Sequence, residues 1–289
     1  MLVGFHGRGS DTVTDLATCL VLDPRLVALI EPLRGLLKRL AALKREGSAV
    51  VNLLETGPDL LLRTDGVLDA PARSLLAAFA AEQRIPRVAW AQGNNPPETA
   101  AQLGPVSIAL GGVAVSPQPG AFLQASPAGE AAIVAAVLAG LPAKLPPRAS
   151  VADLFAGLGT LSFPLAARAR VTAFEGMADS VAALAAGAGK AGARVQAVRR
   201  DLDRQPLVAK ELQSYAAAVL DLPFNGAAAQ VLLLAKSVVP RIVYVSCNPA
   251  ALARDAQVLA QGGYRVLAAT PVDQFLWSPH LESVVVFAR

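Results

Sequence analysis

The second half of the chain alternates short apolar runs with longer amphipathic stretches. The strand-like runs lie at 150–155, 170–174, 195–198, 216–220, 241–246, 264–270 and 283–288. Helical stretches separate them, including 128–141 at the start, 161–169 and 178–191. This alternation is typical of a doubly wound α/β domain built on a largely parallel sheet. We therefore predict such a domain over residues 126–289.

The first part of the chain has a different pattern. Residues 1–125 mix short apolar runs with turns that contain Gly and Pro, which predicts a smaller α+β domain. Within it, residues 25–45 carry leucines at helical spacing and basic residues elsewhere on the cylinder. A cationic helix face is typical of solvated helices, and it is also found in proteins that contact the phosphates of nucleic acids. Both interpretations stay open.

The composition excludes several classes of protein. Apolar residues make up 54% of the chain and charged residues 17%, which argues against disorder. Charges interrupt every apolar run before it reaches the length of a membrane span, and the first ten residues match no signal or transit peptide. We expect a soluble, cytoplasmic protein with no membrane partner. The net charge of +4 permits a polyanionic partner without requiring one.

Only two cysteines occur, Cys19 and Cys247, which excludes a disulfide framework and a four-cysteine metal site built from this chain alone. Cys247 lies in the sequence Ser-Cys-Asn-Pro, directly after the apolar run 242–245. In an α/β sheet this position is the carboxyl edge, where ligands bind. A cysteine can be merely a small buried apolar residue, but the Asn-Pro turn favours an accessible thiol.

A second set of residues predicts a cofactor site at the same edge. Residues 153–159 have the sequence DLFAGLG, in which Gly157 and Gly159 permit a tight strand-to-helix turn against a ligand. Glu175 ends the next strand, where it could bind the hydroxyls of a ribose, and Asp201 ends the third, near an adenine. The glycines could instead serve packing alone. Because the third glycine of the dinucleotide fingerprint is absent, the pattern favours a methyltransferase over a dehydrogenase.

Three further polar residues stand near the ends of predicted strands or of the first domain. Asp221, in the sequence DLPFNG, is predicted to face the methyl donor, although the segment could be only a structural turn. Glu282 precedes the last strand, and the topology could return it to Cys247 or leave it as a solvated charge. Gln124, in the sequence FLQA, could be plain core.

These motifs, taken together, resemble those of the RNA 5-methyluridine methyltransferase family. The resemblance runs in order from about residue 4 to residue 289, and the bacterial 23S ribosomal RNA enzymes are the most similar branch. It implies a Rossmann-like class I fold, S-adenosylmethionine as cofactor, and RNA as substrate, with ribosomal RNA ahead of transfer RNA and no obligate protein partner. The segments that carry it are 122–125, 153–159, 243–249, 252–255 and 280–283.

The resemblance also implies roles for individual residues. Cys247 matches the nucleophile that adds to C6 of the uracil, and Glu282 matches the base that removes the C5 proton. The target base must then be flipped out of its stack. The residues that match cofactor-binding positions are Gln124, Phe155, Gly157, Gly159, Thr160, Glu175, Asp201 and Asp221.

The chain departs from the family pattern at two places. Phe224 stands where the family usually carries an Arg, three residues after Asp221. Cys19 resembles the last of four cysteines that hold an iron–sulfur cluster in family members, and the other three have no counterpart, so we expect an N-terminally shortened member without the cluster. Two alternatives follow: an RNA-binding member that has lost catalysis, and an amino-group methyltransferase that uses the turn after Asp221.

Overall fold

The computed structural model describes residues 1–7 and 9–289, and the chain divides into two compact units. The first unit contains Met1–Ile108 and Gln118–Ala121; the second contains Ala109–Pro117 and Phe122–Arg289. A domain boundary at residue 125 stays a prediction from the sequence. Among the residues described, no helix is both long and apolar enough to cross a membrane.

The helices and strands follow one another in a regular order, with short strands and hairpins in the first half and strand–helix alternation in the second. They are β1 Gly4–His6, β2 Val13–Asp15, α1 Pro24–Val27, α2 Ile30–Arg39, β3 Gly47–Leu54, β4 Gly57–Thr64, α3 Ala70–Glu82, β5 Arg87–Gln92, β6 Glu98–Gln102, β7 Ile108–Leu110, β8 Val113–Val115, α4 Pro127–Gly140, β9 Ser150–Leu154, α5 Ser162–Ala166, β10 Arg170–Glu175, α6 Ala178–Ala191, β11 Val195–Arg199, α7 Ala209–Leu212, β12 Ala217–Asp221, α8 Ala228–Ala235, β13 Arg241–Ser246, α9 Pro249–Gln261, β14 Arg265–Val272 and β15 Glu282–Ala288.

Seven strands of the second unit form one sheet in the order β11-β10-β9-β12-β13-β15-β14. The first five run parallel, and β15 lies antiparallel between β13 and β14. The chain begins this sheet at β9, moves outward to β11 and returns to β12 on the other side of β9. Ligands of doubly wound folds bind where the strand order reverses in this way. The predicted α/β fold is confirmed.

The core of the second unit packs the central strands against the helices. Tyr244 and Phe287, on neighbouring strands β13 and β15, are fully buried and meet edge to face at 6.4 Å. The Tyr244 hydroxyl donates to the buried Asp255 in α9 at 2.7 Å, so this ring satisfies its polar atom inside the core. Strand β13 is therefore held rigidly up to its last residue, Ser246.

The first unit is built on the mixed four-stranded sheet β3-β4-β5-β6, with an apolar core that includes residues from α2 and α3. The prediction of one helix over residues 25–45 is wrong in extent. The chain forms α1 and α2 with a break between them, and at Leu40 it leaves the helical region because ψ becomes 103°. Lys44 and Arg45 therefore lie beyond the helix.

The cationic face of α2 is partly used inside the unit. Arg34 is largely buried, and it pairs with Glu31 and, at 2.8 Å, with Asp15. Arg45 contacts Asp65 at 3.5 Å. The cations that stay exposed on α2 are Lys38 and Arg39, so any stripe available to RNA phosphates is narrower than the sequence suggested.

One buried ion pair holds neighbouring strands of the first unit together. Asp59 in β4 is 2% exposed, and Arg87 in β5 binds both its carboxylate oxygens, at 2.7 and 2.8 Å. A bidentate guanidinium–carboxylate pair in a buried position satisfies both charges. Removing one partner leaves the other charge buried without compensation.

We predict that Arg87→Met lowers the free energy of unfolding of the first unit by about 3–5 kcal/mol, because it strands the Asp59 carboxylate. Urea unfolding followed by the fluorescence of Trp90, which is buried in this unit, measures the loss. The matched control is Arg73→Met, which removes an exposed pair with Glu98 and should cost ~0–1 kcal/mol. Equal losses in the two variants would contradict the prediction.

Candidate active site

Acidic and thiol side chains gather at the carboxyl edge of the large sheet. Glu175 ends β10, Asp221 ends β12, and Cys247 follows the last residue of β13. Because β15 runs antiparallel, its first residue, Glu282, lies at the same edge. Residues that are far apart in sequence therefore share one edge, as parallel strand ends do in ligand-binding sheets.

The pairing of β13 with β15 sets the position of Cys247 relative to Glu282. The register pairs Val245 with Val284 and Ser246 with Ser283. Cys247 and Glu282 are the next residues of the two chains beyond this last pair, so both stand at the carboxyl edge where β13 and β15 meet. The negative charge of Glu282 in turn helps to raise the pKa of the Cys247 thiol. The interpretation of Glu282 as a solvated surface charge does not hold, because it is 5% exposed.

Asn248 fixes the turn that carries the thiol. Its Oδ1 accepts from the backbone of Ala250 at 3.0 Å and Ala251 at 3.3 Å, which caps α9, and Pro249 occupies the first turn of that helix. Its Nδ2 donates to the carbonyl of Phe224 at 2.9 Å. One side chain thereby holds both the helix after Cys247 and the loop after Asp221.

The loop after Asp221 presents an aromatic ring where the family motif carries a cation. Phe224 is 55% exposed and meets the His280 ring edge to face at 6.1 Å. Arg254 donates to the carbonyl of Asn225 at 3.3 Å and to Asp255 at 2.8 Å, so its guanidinium supports the loop from α9.

The carboxylates and the thiol shift one another's protonation. Burial raises the pKa of Asp221 to about 7, and the charges of Glu282 and Asp153 contribute to the same rise. Burial also raises the pKa of Cys247, with contributions from Glu282 and Asp221. The pKa of Glu282 is raised by burial and lowered by a hydrogen bond from Gln274. Asp221, whose pKa lies near neutrality, is suited to proton transfer.

The two glycines of residues 153–159 have different roles. A Cβ on Gly159 would lie 2.7 Å from the Phe163 ring, so this glycine is required for packing. A Cβ on Gly157 would meet nothing within 4 Å, and the amide of Gly157 instead donates to Glu175 at 3.0 Å. Phe155 adopts φ 62°, an uncommon conformation for a residue other than glycine that is often found at functional sites. The open side of Gly157 leaves room for a ligand beside Glu175.

The carboxylate of Glu175 is held in place by two backbone amides. One oxygen accepts from Gly157 at 3.0 Å and the other from Met177 at 2.8 Å. Each carboxylate oxygen has a second lone pair, so the group can still accept from the two hydroxyls of a ribose. Asp153, fully buried beneath the turn, accepts from Ser162 at 2.5 Å, and burial raises its pKa to about 7.

Asp201 and Thr160, the remaining predicted site residues, also lie at the carboxyl edge of the sheet. Asp201 is exposed and follows Arg199, the last residue of β11, by two positions. A Cβ on Gly176 would lie 3.5 Å from Cα of Asp201, which places this residue beside the end of β10. Its Oδ1 accepts from the amides of its own turn. Thr160 is half-buried in the turn before α5.

Gln124 and Gln274 connect Asp221 to Glu282. Gln124 donates to Asp221 at 3.3 Å, and Gln274 donates to Gln124 at 2.9 Å and to Glu282 at 3.1 Å. The interpretation of Gln124 as plain core is therefore wrong. Gln274 was not singled out in the sequence, because a Gln beyond an exposed edge strand carries no recognisable motif.

Two other features contain no residue of this edge. A cavity of about 410 Å³ opens at the opposite, amino edge of the sheet, lined by strand starts such as Ser150 and Val195, and no predicted site residue lines it. Cys19, in the first unit, is half-buried, and its sulfur accepts from Leu22 at 3.4 Å. In the described part of the chain no group of three or more His, Cys, Asp and Glu residues could hold a metal ion. The absence of an iron–sulfur cluster stays a prediction.

Comparison with known proteins decides the family. The family model of tRNA (uracil-5-)-methyltransferases matches residues 148–289. An uncharacterized RNA methyltransferase of Caulobacter vibrioides is 39% identical over 294 residues, which cover 99% of this chain and 69% of the relative. The chain belongs to the RNA uracil-5 methyltransferase family. It is an RNA methyltransferase.

Two other members of this family cover nearly the whole chain. The 23S rRNA (uracil(1939)-C(5))-methyltransferase of Chromohalobacter salexigens is 36% identical, and the match covers 99% of this chain and 61% of that protein. The crystal structure of the Pyrococcus abyssi tRNA (uracil-54, C5)-methyltransferase, in complex with S-adenosyl-L-homocysteine, superimposes with a TM-score of 0.77 at 18% identity and covers 99% of this chain and 73% of that one. This chain thus spans about two thirds of the length of its relatives.

For this RNA uracil-5 methyltransferase we predict that Glu282→Gln makes Cys247 more reactive towards iodoacetamide. Loss of the negative charge next to the sulfur lowers the pKa of the thiol, so the midpoint of the alkylation rate moves to lower pH. Mass spectrometry of tryptic peptides follows each cysteine separately. Cys19, in the first unit, is the internal control and should react identically in both proteins. An unchanged midpoint for Cys247 would mean that the two side chains are not neighbours.

Proposed function

We propose that this chain transfers a methyl group from S-adenosylmethionine to C5 of a uridine in RNA, through a covalent bond between Cys247 and C6 of the uracil. The observation that carries the proposal is the antiparallel pairing of β13 with β15, which ends with Ser246 opposite Ser283 at the ligand-binding edge. The next residue of each strand there is Cys247 or Glu282, and the charge of Glu282 acts on the Cys247 thiol. The family and the class of enzyme support it.

Cys247 acts first, because C5 of uracil is too weak a nucleophile to attack a methyl sulfonium directly. The thiolate forms a bond to C6, and the electron pair of the C5=C6 double bond moves towards C5 and O4 to give an enolate. Burial and the neighbouring carboxylates keep the resting thiol protonated, since they raise its pKa. The thiol therefore gives its proton to solvent water before the sulfur attacks C6.

Glu282 acts last. After transfer, C5 carries both the new methyl group and its original proton. The carboxylate of Glu282 takes that proton, the C5=C6 double bond forms again, and the bond from C6 to the sulfur breaks to return the thiolate. Burial raises the pKa of Glu282, which makes its carboxylate a stronger base than an exposed one.

The turn of residues 153–159 and the strand ends beside it fit an adenosine cofactor. We assign Glu175 to the ribose hydroxyls, Asp201 to the adenine side, and Asp221 with Gln124 to the methionine side; Phe155, Gly157, Gly159 and Thr160 form the turn. The open space beside Gly157 and the doubly held carboxylate of Glu175 support this fit. When bound, S-adenosylmethionine supplies an electrophilic methyl group.

We propose ribosomal RNA as the substrate, because a 36% identical relative is a 23S rRNA enzyme. The target uridine has to leave its stack to reach Cys247, which lies in a half-buried position. The exposed Phe224 ring beside His280 offers an apolar surface at this opening. A cytoplasmic location fits an enzyme with such a substrate.

We predict that the protein forms a covalent complex with a 23S rRNA transcript that contains 5-fluorouridine, when S-adenosylmethionine is present. The C5 fluorine cannot leave as a proton, so the adduct persists and migrates as one band on a denaturing gel. Cys247→Ala should abolish both the band and methyl transfer to the ordinary transcript. Cys19→Ala is the matched control and should retain both.

We further predict that Glu282→Gln slows turnover by about 10²–10⁴-fold, the usual contribution of a general base, while the adduct still forms. With an ordinary uridine transcript this variant should accumulate the covalent complex, which the wild-type protein resolves. If the variant slows adduct formation by the same factor as turnover, the role of Glu282 is contradicted.

The same variants separate the two alternative functions. An amino-group methyltransferase that uses the turn after Asp221 would keep its activity in Cys247→Ala. A member that has lost catalysis would bind the transcript without methylating it, and its wild-type form would give no adduct. A tRNA transcript, assayed in parallel, distinguishes transfer RNA from ribosomal RNA as the substrate.

A further inference from the structure

Gln274 is a buried polar residue that neither the motifs nor the family resemblance assigns. It follows the end of β14 by two residues, at the carboxyl edge of the sheet, and it is 8% exposed. Its Nε2 lies 3.1 Å from Oε2 of Glu282 and 2.9 Å from Oε1 of Gln124. A buried amide in contact with the proposed base needs an explanation in terms of that base.

The hydrogen bonds around Gln274 form a directed chain. Gln124 donates from its Nε2 to Asp221, and its Oε1 therefore faces Gln274. Gln274 therefore has to present its amino group, whose two protons go to Gln124 and to Glu282. The chain joins the carboxylate beside the methyl donor to the carboxylate beside the thiol, and its direction requires a hydrogen-bond acceptor at Glu282.

Among the groups around Glu282, Gln274 is the one that favours the ionised form of the Glu282 carboxyl group. Burial raises the pKa of Glu282, whereas the hydrogen bond from Gln274 lowers it. The other titratable groups at this edge are Asp221 from β12, Cys247 after β13, Asp273 and His280 on the segment between β14 and β15, and, further along, Glu175 and Asp201. The carboxyl groups and the thiol cannot stabilise a negative charge on Glu282, and the His280 ring packs against Phe224 and Phe275.

The helix that faces Gln274 is shaped to receive it. Gly129 lies in the first turn of α4, and a Cβ there would come within 2.5 Å of Oε1 and 2.7 Å of Cβ of Gln274. Any larger residue would push Gln274 away, so the glycine makes room for it. Oε1 of Gln274, which is buried without a partner among the described residues, points towards the positive end of this helix.

We propose that Gln274 is a positioning residue that holds the carboxylate of Glu282 ionised and oriented for removal of the C5 proton, and that it links Glu282 through Gln124 to the cofactor side. The inference rests on the proposed function. One oxygen of Glu282 accepts from Gln274, which leaves the other to take the proton. Without Gln274, the carboxyl group would be protonated over a wider range of pH, and proton removal would need a higher pH.

The test uses the full-length protein, S-adenosylmethionine and an ordinary 23S rRNA transcript. Gln274→Met keeps a similar volume and removes both donors. We expect the rate at which Cys247 forms the adduct to change little. Release of the methylated transcript should slow about tenfold at pH values below the midpoint of the wild-type pH dependence of release, because one hydrogen bond to a charged group is lost. The pH below which release slows is higher in the variant than in the wild-type protein, so the release rates of the two proteins converge at alkaline pH. At lower pH the covalent complex accumulates in the variant.

A second variant reaches the same result through sterics alone. Gly129→Ala changes no polar group but displaces Gln274, so it should also slow release at low pH with less effect at high pH. Gly189→Ala in α6 is the matched control, since a Cβ there meets nothing within 4 Å, and it should behave as wild type. Thermal unfolding of each variant checks that the fold is retained.

Two results would overturn the inference, and they are distinguishable from failure of the proposed function. If Cys247→Ala abolishes methyl transfer but Gln274→Met leaves the pH dependence of release unchanged, the role of Gln274 is wrong and the function stands. If Gln274→Met lowers the rates of adduct formation and of release by the same factor at every pH, Gln274 has only a structural role. If the wild-type protein forms no adduct, or Cys247→Ala still methylates, both proposals fail.

Discussion

The chemistry of this protein depends on one strand pairing. Strand β15 inserts antiparallel between β13 and β14, so its first residue lies where its parallel neighbours end. A purely parallel strand at this position would carry Glu282 to the opposite edge, away from Cys247. The antiparallel insertion brings Cys247 and Glu282, the proposed nucleophile and base, 35 positions apart in sequence, onto neighbouring strand ends, and the buried contact of Tyr244 with Phe287 holds the two strands together.

The same edge concentrates carboxyl groups in a poorly solvated place. Burial raises the pKa of Asp153 and of Asp221 to about 7, and the charges of Glu282 and Asp153 add to the rise at Asp221. Such a cluster is costly unless its members find hydrogen-bond partners. Ser162 supplies one for Asp153, and the two glutamines supply them for the other pair. Polar side chains, rather than cations, therefore contact these carboxyl groups. This agrees with Phe224, which stands where the family motif usually carries Arg.

Much of the fold follows from local patterns. The apolar runs predict the sheet strands to within a residue or two; the central strands are buried on both faces and leave a continuous apolar signal, and β14 is predicted although it is an exposed edge strand. Cys247 is recognisable because a capping Asn and a Pro follow it and start α9. The helix over residues 25–45 fails because its leucine spacing continues past the break at Leu40. Neither the separate roles of Gly157 and Gly159 nor the position of Gln274 has a sequence signal, since each depends on what packs against it in space.

The covalent mechanism depends on which atom of the protein forms a bond to the RNA. The complex formed with the 5-fluorouridine transcript can be digested with trypsin and nuclease and its peptides sequenced by mass spectrometry. Arg241 and Arg254 flank Cys247, so the peptide of residues 242–254 should carry one methylated fluorouridine nucleotide on its cysteine. A nucleotide on any other peptide, or a methylated RNA recovered with no peptide modified at any stage, would contradict a covalent mechanism through Cys247.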